Sequence, residues 1–301
     1  MKLSKQNKRK WIGLILFSFI FYWSFPNDLF DVPYSTLIND DTGQLLSAKI
    51  AEDGQWRFPD LDSVPKALEA CILYFEDEYF YAHPGVNPVS LSRAIGQNIS
   101  SGKKVSGGST ITMQVLRLSR RNPPRTYWEK VKEMYSAIRM EFSYSKAEIL
   151  KLYASHAPYG GNVVGAEAAA WRYFNRPLHD LSWAEYATLA VLPNAPSLIR
   201  PGKNSKILKA KRDRLLKKLL LNEVIDSTTY SLSLLENLPE KPSNLPSNAS
   251  HLLEYISNNG GSGHRNQSTI DGDLQKRVTE SLNTYVKHLQ DNSINNASAM
   301  I

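Results

Sequence analysis

One cysteine, Cys71, is the whole thiol complement of this 301-residue chain. That excludes an internal disulfide and any multi-cysteine metal site. Cys71 lies on an apolar stripe and reads as core filler. No long-period repeat is present, which excludes a solenoid or propeller. A full-length apolar membrane span is also missing. Trp11 to Phe25 is uncharged but ends at Pro26, and fifteen helical residues cover roughly 22 Å against a hydrocarbon core of about 30 Å. No small-x-small cleavage site follows, since Phe25-Pro26-Asn27-Asp28 is a poor one, so a cleaved signal peptide is disfavoured. Interfacial aromatics (Trp11, Tyr22, Trp23) and the basic flank Lys2, Lys5, Lys8, Arg9, Lys10 fit an uncleaved signal anchor instead. The expectation is a cytoplasmic tail over 1–10, an anchor helix over 11–26 and export of the rest.

What remains is ample. Hydrophobic residues make up 42% and charged residues 22%, enough for a real core in one large or two ordinary domains. The net charge of +7 and pI near 9.2 point to an anionic partner. Charge alone leaves nucleic acid, a membrane surface and a phosphorylated substrate open.

Residues 34–60 are β-like and turn-rich, with Asn39-Asp40-Asp41-Thr42-Gly43 as the turn of a short hairpin. Helical periodicity then dominates to residue 225. Leu68, Cys71, Ile72 and Phe75 form one buried stripe, with Glu76 at its end. Val131, Met134, Tyr135, Ile138 and Phe142 mark an amphipathic helix. Ser145-x-x-Glu148 and Ser182-x-x-Glu185 are capping boxes, stapled by Tyr144/Ile149 and Leu181/Tyr186. Lys209 to Leu221 is a further helix. Pro, Asn, Ser and Gly accumulate over 237–268, so 226–267 is expected to be a linker. Structure resumes at Ser268, with a helix from Leu274 to Leu289.

The chemistry-bearing residues cluster. Glu76-Asp77 precedes Phe80 and His83-Pro84-Gly85. A carboxylate is what an attacking hydroxyl needs to lose its proton, and Glu76 beside Asp77 can serve; a solvated helix end is the competing reading. His83 more often packs than reacts, and Phe80 reads as wall. Gly107-Gly108-Ser109-Thr110-Ile111-Thr112-Met113-Gln114 offers backbone N–H groups, hydroxyls and an amide suited to pyrophosphate and sugar, or simply caps a helix. Arg117, Arg120, Arg121 and Arg125 follow, as a solvated face or as phosphate neutralisers. Glu133 falls outside its helix's apolar stripe and shares a face with Lys130 and Ala137. It is either solvated or turned into a cleft.

Together these residues resemble the glycosyltransferase domain of class A penicillin-binding proteins, the family 51 peptidoglycan glycosyltransferases, over roughly 34–225. The family's E-D-x-x-F-x-x-H-x-G is complete from Glu76 to Gly85. Its G-G-S-T-I-T-x-Q runs from Gly107 to Gln114, with Met113 and Arg117 where most members have glutamine and lysine. Residues 268–301 are similar to the opening of the family's transpeptidase domain and are expected to be an incomplete start of it. The resemblance implies a mainly α, lysozyme-like fold with a small β-containing N-terminal segment and a membrane anchor. It implies lipid II and the growing glycan chain as substrates at the bacterial inner membrane, other cell-wall synthesis proteins as partners, and no nucleic acid. By motif position Glu76 would be the general base and Glu133 the second acid, acting with a divalent metal, magnesium or manganese. Asp77, Phe80, His83, Ser109, Thr110, Thr112, Gln114, Arg117 and Lys130 would bind substrate.

The sequence departs from the family at Glu129, where the third motif has arginine, and at Lys151 and Ser155, where the fourth has glutamate and asparagine. The fifth appears as Lys211-Arg212-x-x-Leu215-Leu216. Ser-x-x-Lys occurs at Ser101/Lys104 and Ser143/Lys146, but no Lys-Ser/Thr-Gly follows either, so neither reads as an acylation site. Two rival functions stand beside the polymerase: a lysozyme-like glycosidase, and a non-catalytic scaffold that binds lipid II or cell-wall partners.

Overall fold

The computed structural model describes residues 29–102, 107–124, 126–290 and 297–299, together with Gly13. Most of the expected anchor over 11–26, and the basic tail before it, lie outside the described residues. Among the described residues no helix is long and apolar enough to cross a membrane.

The hairpin forms where the turn chemistry puts it. Strands β1 (Thr36–Asn39) and β2 (Leu45–Lys49) pair antiparallel. The Asp40 carboxylate accepts from the Thr42 N–H, the Thr42 hydroxyl and the Gln44 N–H, and Gly43 takes φ +90°. This is an Asx turn with glycine where the chain must turn left-handed. Strand β3 (Trp56–Arg57) joins a second small sheet with β4 (Pro158–Gly160) and β5 (Val163–Val164), in the order β3-β5-β4.

Helices make the body, so the mainly α expectation holds. Helix α1 (Lys66–Glu76) buries Leu68, Cys71 and Ile72 as its stripe requires. Next come α2 (Pro88–Ser101), α3 (Ile111–Ser119), α4 (Tyr127–Ser143) and α5 (Lys146–His156). Helices α6 (Ala166–Phe174), α7 (Trp183–Val191) and α8 (Ser205–Leu221) complete the core. Both capping boxes form, at Ser145/Glu148 and Ser182/Glu185. Helix α1 packs on α7 and α8, while α3 packs on α4 and α5. Glu76 therefore ends one packed layer beside the start of another.

Two expectations are revised. The stretch 226–267 holds α9 (Ser227–Leu235), α10 (Ser250–Asn258) and β6 (Arg265–Gln267). Strand β6 pairs parallel with β1, and Arg265 forms a bidentate ion pair with Glu167. Leu252, Leu253 and Ile256 pack on buried Ile38 and Leu46. Pro, Asn and Gly concentrate in the turns between these pieces, and that composition masked them. A final helix, α11 (Gly272–Leu289), follows, N-capped by Asp271. The second revision concerns α4. The helix exists, but its buried residues are Glu133, Ala137 and Met140, while Val131, Tyr135, Ile138 and Phe142 are exposed. Only Met134 of the expected stripe packs against the core.

Gly85 fixes how closely α4 approaches the first motif. Its φ is +83°, and an added Cβ would lie 2.5 Å from the Ala137 carbonyl oxygen. Gly85→Ala is expected to cost about 1–3 kcal/mol, from left-handed strain and displacement of α4. Urea unfolding checks this; an unchanged midpoint would show that α4 is not seated by this contact.

Candidate active site

Asp77, one residue past the end of α1, organises the site. Its buried carboxylate lies 3.0 Å from His83 Nε2 through both oxygens, and Oδ2 accepts from the Ile111 N–H at 3.1 Å. A carboxylate only accepts, so the His83 Nε2–H donates. Ile111 begins α3, so an acid sits at the positive end of that helix. Thr110 caps the same turn. Its Oγ accepts from the Met113 N–H and donates to the Gly85 carbonyl at 2.6 Å. Two backbone donors of the glycine-serine segment, the Ile111 and Met113 N–H groups, are thus consumed by the protein itself. Thr112 is fully buried and donates to Glu141, which also pairs with Lys146. The Lys146 ammonium lies over the Phe80 ring at 4.3 Å and donates to the His83 carbonyl. Asp77, Thr110 and Thr112, all read as substrate-binding, therefore have their side-chain oxygens engaged within the fold, and Phe80 packs under Lys146; His83 is held through Nε2, while its Nδ1 is buried without a hydrogen-bond partner among the described residues.

With its first turn fixed, α3 presents Gln114 and Arg117 on one face, three residues apart. The Gln114 amide donates to Glu76 Oε2 at 2.8 Å. Arg117 Nε lies 3.3 Å from Glu133 Oε1, and Lys130 Nζ lies 3.9 Å from Oε2. One helix face thus joins both candidate acids. Their electrical states differ. Glu76 Oε1 is buried with no hydrogen-bond partner among the described residues. Burial lifts its carboxyl above the ordinary glutamate range, with the Asp77 charge adding; the Gln114 bond and the Lys211 and Arg117 charges oppose this. Glu133 is also buried, but sits between two cations. Lys130 also donates to the Ser109 hydroxyl at 2.7 Å.

Glu76, Ser109 and Thr110 line a cleft of about 130 Å³, with Tyr79, Arg93 and Lys218 among its other walls. Lys218 crosses from α8 to Glu78 at 2.7 Å. Among the described residues no three His, Cys, Asp or Glu side chains converge as a metal cage. Glu133 has cations, not further acids, as its nearest charged partners.

Two of the departures from the motifs, Glu129 and Ser155, are absorbed locally. Glu129 pairs with Arg120 and Lys132, and those bonds hold its half-buried carboxyl below the ordinary range. The Ser155 hydroxyl accepts from the Leu61 N–H. Two residues near Glu76 have no role assigned from sequence. Lys211 contributes positive charge at Glu76. The Tyr153 phenol is buried, and the Glu76 charge adds to the burial that raises its pKa. Lys211 stands in the fifth motif, and Tyr153 lies between Lys151 and Ser155 of the fourth.

The sequence pattern of a family described as Transglycosylase matches residues 43–220. Among curated proteins, penicillin-binding protein 1C of Escherichia coli (strain K12) is 36% identical over 90% of this chain and 36% of its own length. Penicillin-binding protein 1F of Bacillus subtilis (strain 168) is 33% identical over 68% of this chain and 28% of its own. The chain therefore spans about a third of the length of these relatives. A crystal structure of penicillin-binding protein 1A from Haemophilus influenzae is similar at 18% identity and a TM-score of 0.39, over 81% of this chain and 28% of that one.

Asp77→Ala would leave the Ile111 N–H and the His83 ring without their buried acceptor. The expected loss is about 2–4 kcal/mol. Thermal unfolding should separate it clearly from substitutions at neighbouring Glu76; equal effects would remove Asp77 from its organising position.

Proposed function

This chain belongs to the transglycosylase family, and on that footing we propose that it polymerises lipid II into β-1,4-linked glycan and releases undecaprenyl pyrophosphate. The fold is read as lysozyme-like. Residues 11–26 are read as a single span of the bacterial inner membrane, with the folded part on its outer face. Other cell-wall synthesis proteins are its expected partners.

The observation that carries this reading is the contrast between the two acids joined by α3. Glu76 is desolvated, and one of its oxygens is fixed by Gln114, so the carboxylate has raised proton affinity and a set orientation. That suits a base that takes the proton of the acceptor's 4-hydroxyl. The hydroxyl oxygen bonds to C1 of the growing donor chain as the C1–phosphate bond breaks. The proton goes to Glu76 and the electron pair to the pyrophosphate. Configuration at C1 inverts. Arg117 and Lys130, held beside Glu133, supply positive charge where the leaving pyrophosphate gains negative charge. A magnesium or manganese ion fits only as a companion of that pyrophosphate, with Glu133 as its protein carboxylate, because such ions are commonly held by one or two carboxylates plus substrate phosphates. When bound it would neutralise phosphate charge.

Catalysis is favoured over a scaffold because Glu129 and Ser155 are accommodated without disturbing Glu76, Gln114, Arg117 or Glu133. A phosphate-directed cation pair also favours transfer from a lipid pyrophosphate over hydrolysis of finished glycan.

Glu76→Gln is expected to lower polymer formation from labelled lipid II by about 10²–10⁴-fold. The raised folded-state pKa means that ionised Glu76 costs stability at neutral pH, a cost relieved below that pKa. The melting temperature of Glu76→Gln at pH 7 should therefore hold or rise. Polymer made at the wild-type rate by this variant would sink the assignment. The wild-type rate should also fall on the acid side at a pH above the ordinary glutamate range of about 4.3, because activity needs the ionised base. An acid limb at or below that range would remove Glu76 from the base role.

A further inference from the structure

Glu76 is held from a side that no motif marks. Helix α1 ends at Glu76, so its last carbonyls have no partner within the helix. The Asp77 N–H takes up the Leu73 carbonyl. The next carbonyl, that of Tyr74, is taken up from α8: Lys218 Nζ donates to it at 2.7 Å. The same ammonium pairs with Glu78 Oε2 at 2.7 Å and lies 5.6 Å from the centre of the Tyr74 ring. Tyr74 stands two residues before Glu76 and Glu78 two residues after it, so one cation grips the chain on both sides of the acid. Tyr74, Glu76, Glu78 and Lys218 all line the same cleft. Glu78 fills a variable place in E-D-x-x-F, and Lys218 lies two residues beyond Lys211-Arg212-x-x-Leu215-Leu216.

The pair is too exposed to matter much for stability: the Lys218 side chain is 40% exposed and that of Glu78 35%, and ion pairs of this kind contribute little. What it fixes is position. A cation at the end of α1 meets the negative pole of that helix and a carbonyl without a helical partner. Three contacts then converge on Glu76 from different elements. Gln114 of α3 orients one of its oxygens, and Asp77 ties the following residue to the first turn of α3. Lys218 holds the opposite flank to α8. We infer that Lys218 is a positioning residue for the base, clamping the last turn of α1 so that the Glu76 carboxylate stays set in the cleft. This rests on the glycosyltransferase reading and deepens it. A general base works only within hydrogen-bond reach of the proton it takes, and a displacement of about 1 Å can cost roughly a hundredfold in rate.

Lys218→Met keeps the aliphatic stem and removes the ammonium. In the full chain, assayed in detergent with labelled lipid II, it is expected to lower kcat about tenfold and to change KM less than about twofold. Lys218→Arg retains donors for both partners and should stay within about threefold of wild type. Lys209→Met is the control, because it removes another ion pair of α8, to Asp213 at 2.6 Å, and should leave kcat unchanged. A second readout needs no turnover: the titration of the Glu76 carboxyl, followed by carbon NMR of labelled glutamate and assigned by its loss in Glu76→Gln. The charged and titratable groups that face Glu76 are Asp77 beside it, Arg117 of α3, Lys211 of α8 and the Tyr153 phenol of α5. Lys218→Met alters none of them. Loosening the last turn admits water, which favours the ionised form, so the midpoint should fall toward the ordinary glutamate range; in Lys209→Met it should hold. A wild-type kcat in Lys218→Met overturns the proposal, as does a loss equally large in Lys209→Met or Lys218→Arg, or an unmoved Glu76 midpoint. A wild-type protein that makes no polymer removes the catalytic reading instead, and the titration still decides the clamp.

Discussion

The Asp77 carboxylate is the contact on which the rest of the site depends. It is buried, it holds His83, and it accepts from the first N–H of α3. An acid at that point complements the helix dipole and satisfies a donor that would otherwise be left bare. It also ties the end of α1, where Glu76 sits, to the start of the helix that carries Gln114 and Arg117. Rotating α3 by a single residue would carry both side chains to other faces. Thr110, Thr112, Lys146 and Phe80 form a second ring of contacts around the same joint.

Around this joint the protein treats two glutamates in opposite ways. Glu76 is withdrawn from water without a cationic partner in direct contact among the described residues, and that is a means of strengthening a base. Glu133 is withdrawn from water between Arg117 and Lys130, so its charge is compensated and the cations are held in place. Each glutamate depends on a different neighbour from the same face of α3. Of the positions that differ from the family pattern, Arg117 is part of this arrangement, while Glu129 and Ser155 make their contacts elsewhere. Glu129 has gathered its own cations, and Ser155 has found a backbone donor.

Helix α4 serves two surroundings at once. Its inner face carries Glu133 against α3, and its outer face carries aromatic and aliphatic side chains in solvent. Periodicity reports that a helix has two faces, but not which of them meets the core. Glu133 is buried because Arg117 and Lys130 make burial tolerable, and those partners come from tertiary contact and from one helical turn respectively.

The sequence by itself determined the elements whose causes are local. The capping boxes at Ser145 and Ser182, the Asx turn at Asp40, the buried stripe of Leu68, Cys71 and Ile72 and the helical class of the chain all follow from residues within a few positions of each other. The motifs also marked Glu76, Gln114, Arg117 and Glu133 as candidates. Only the tertiary structure decided how they are connected. It spent Asp77, Thr110 and Thr112 on the fold, brought Lys211 and Tyr153 within electrostatic reach of Glu76, and paired β6 with β1 across more than two hundred residues. Hydrogen bonds and desolvation depend on what lies opposite a side chain in space, and spacing along the chain does not carry that information.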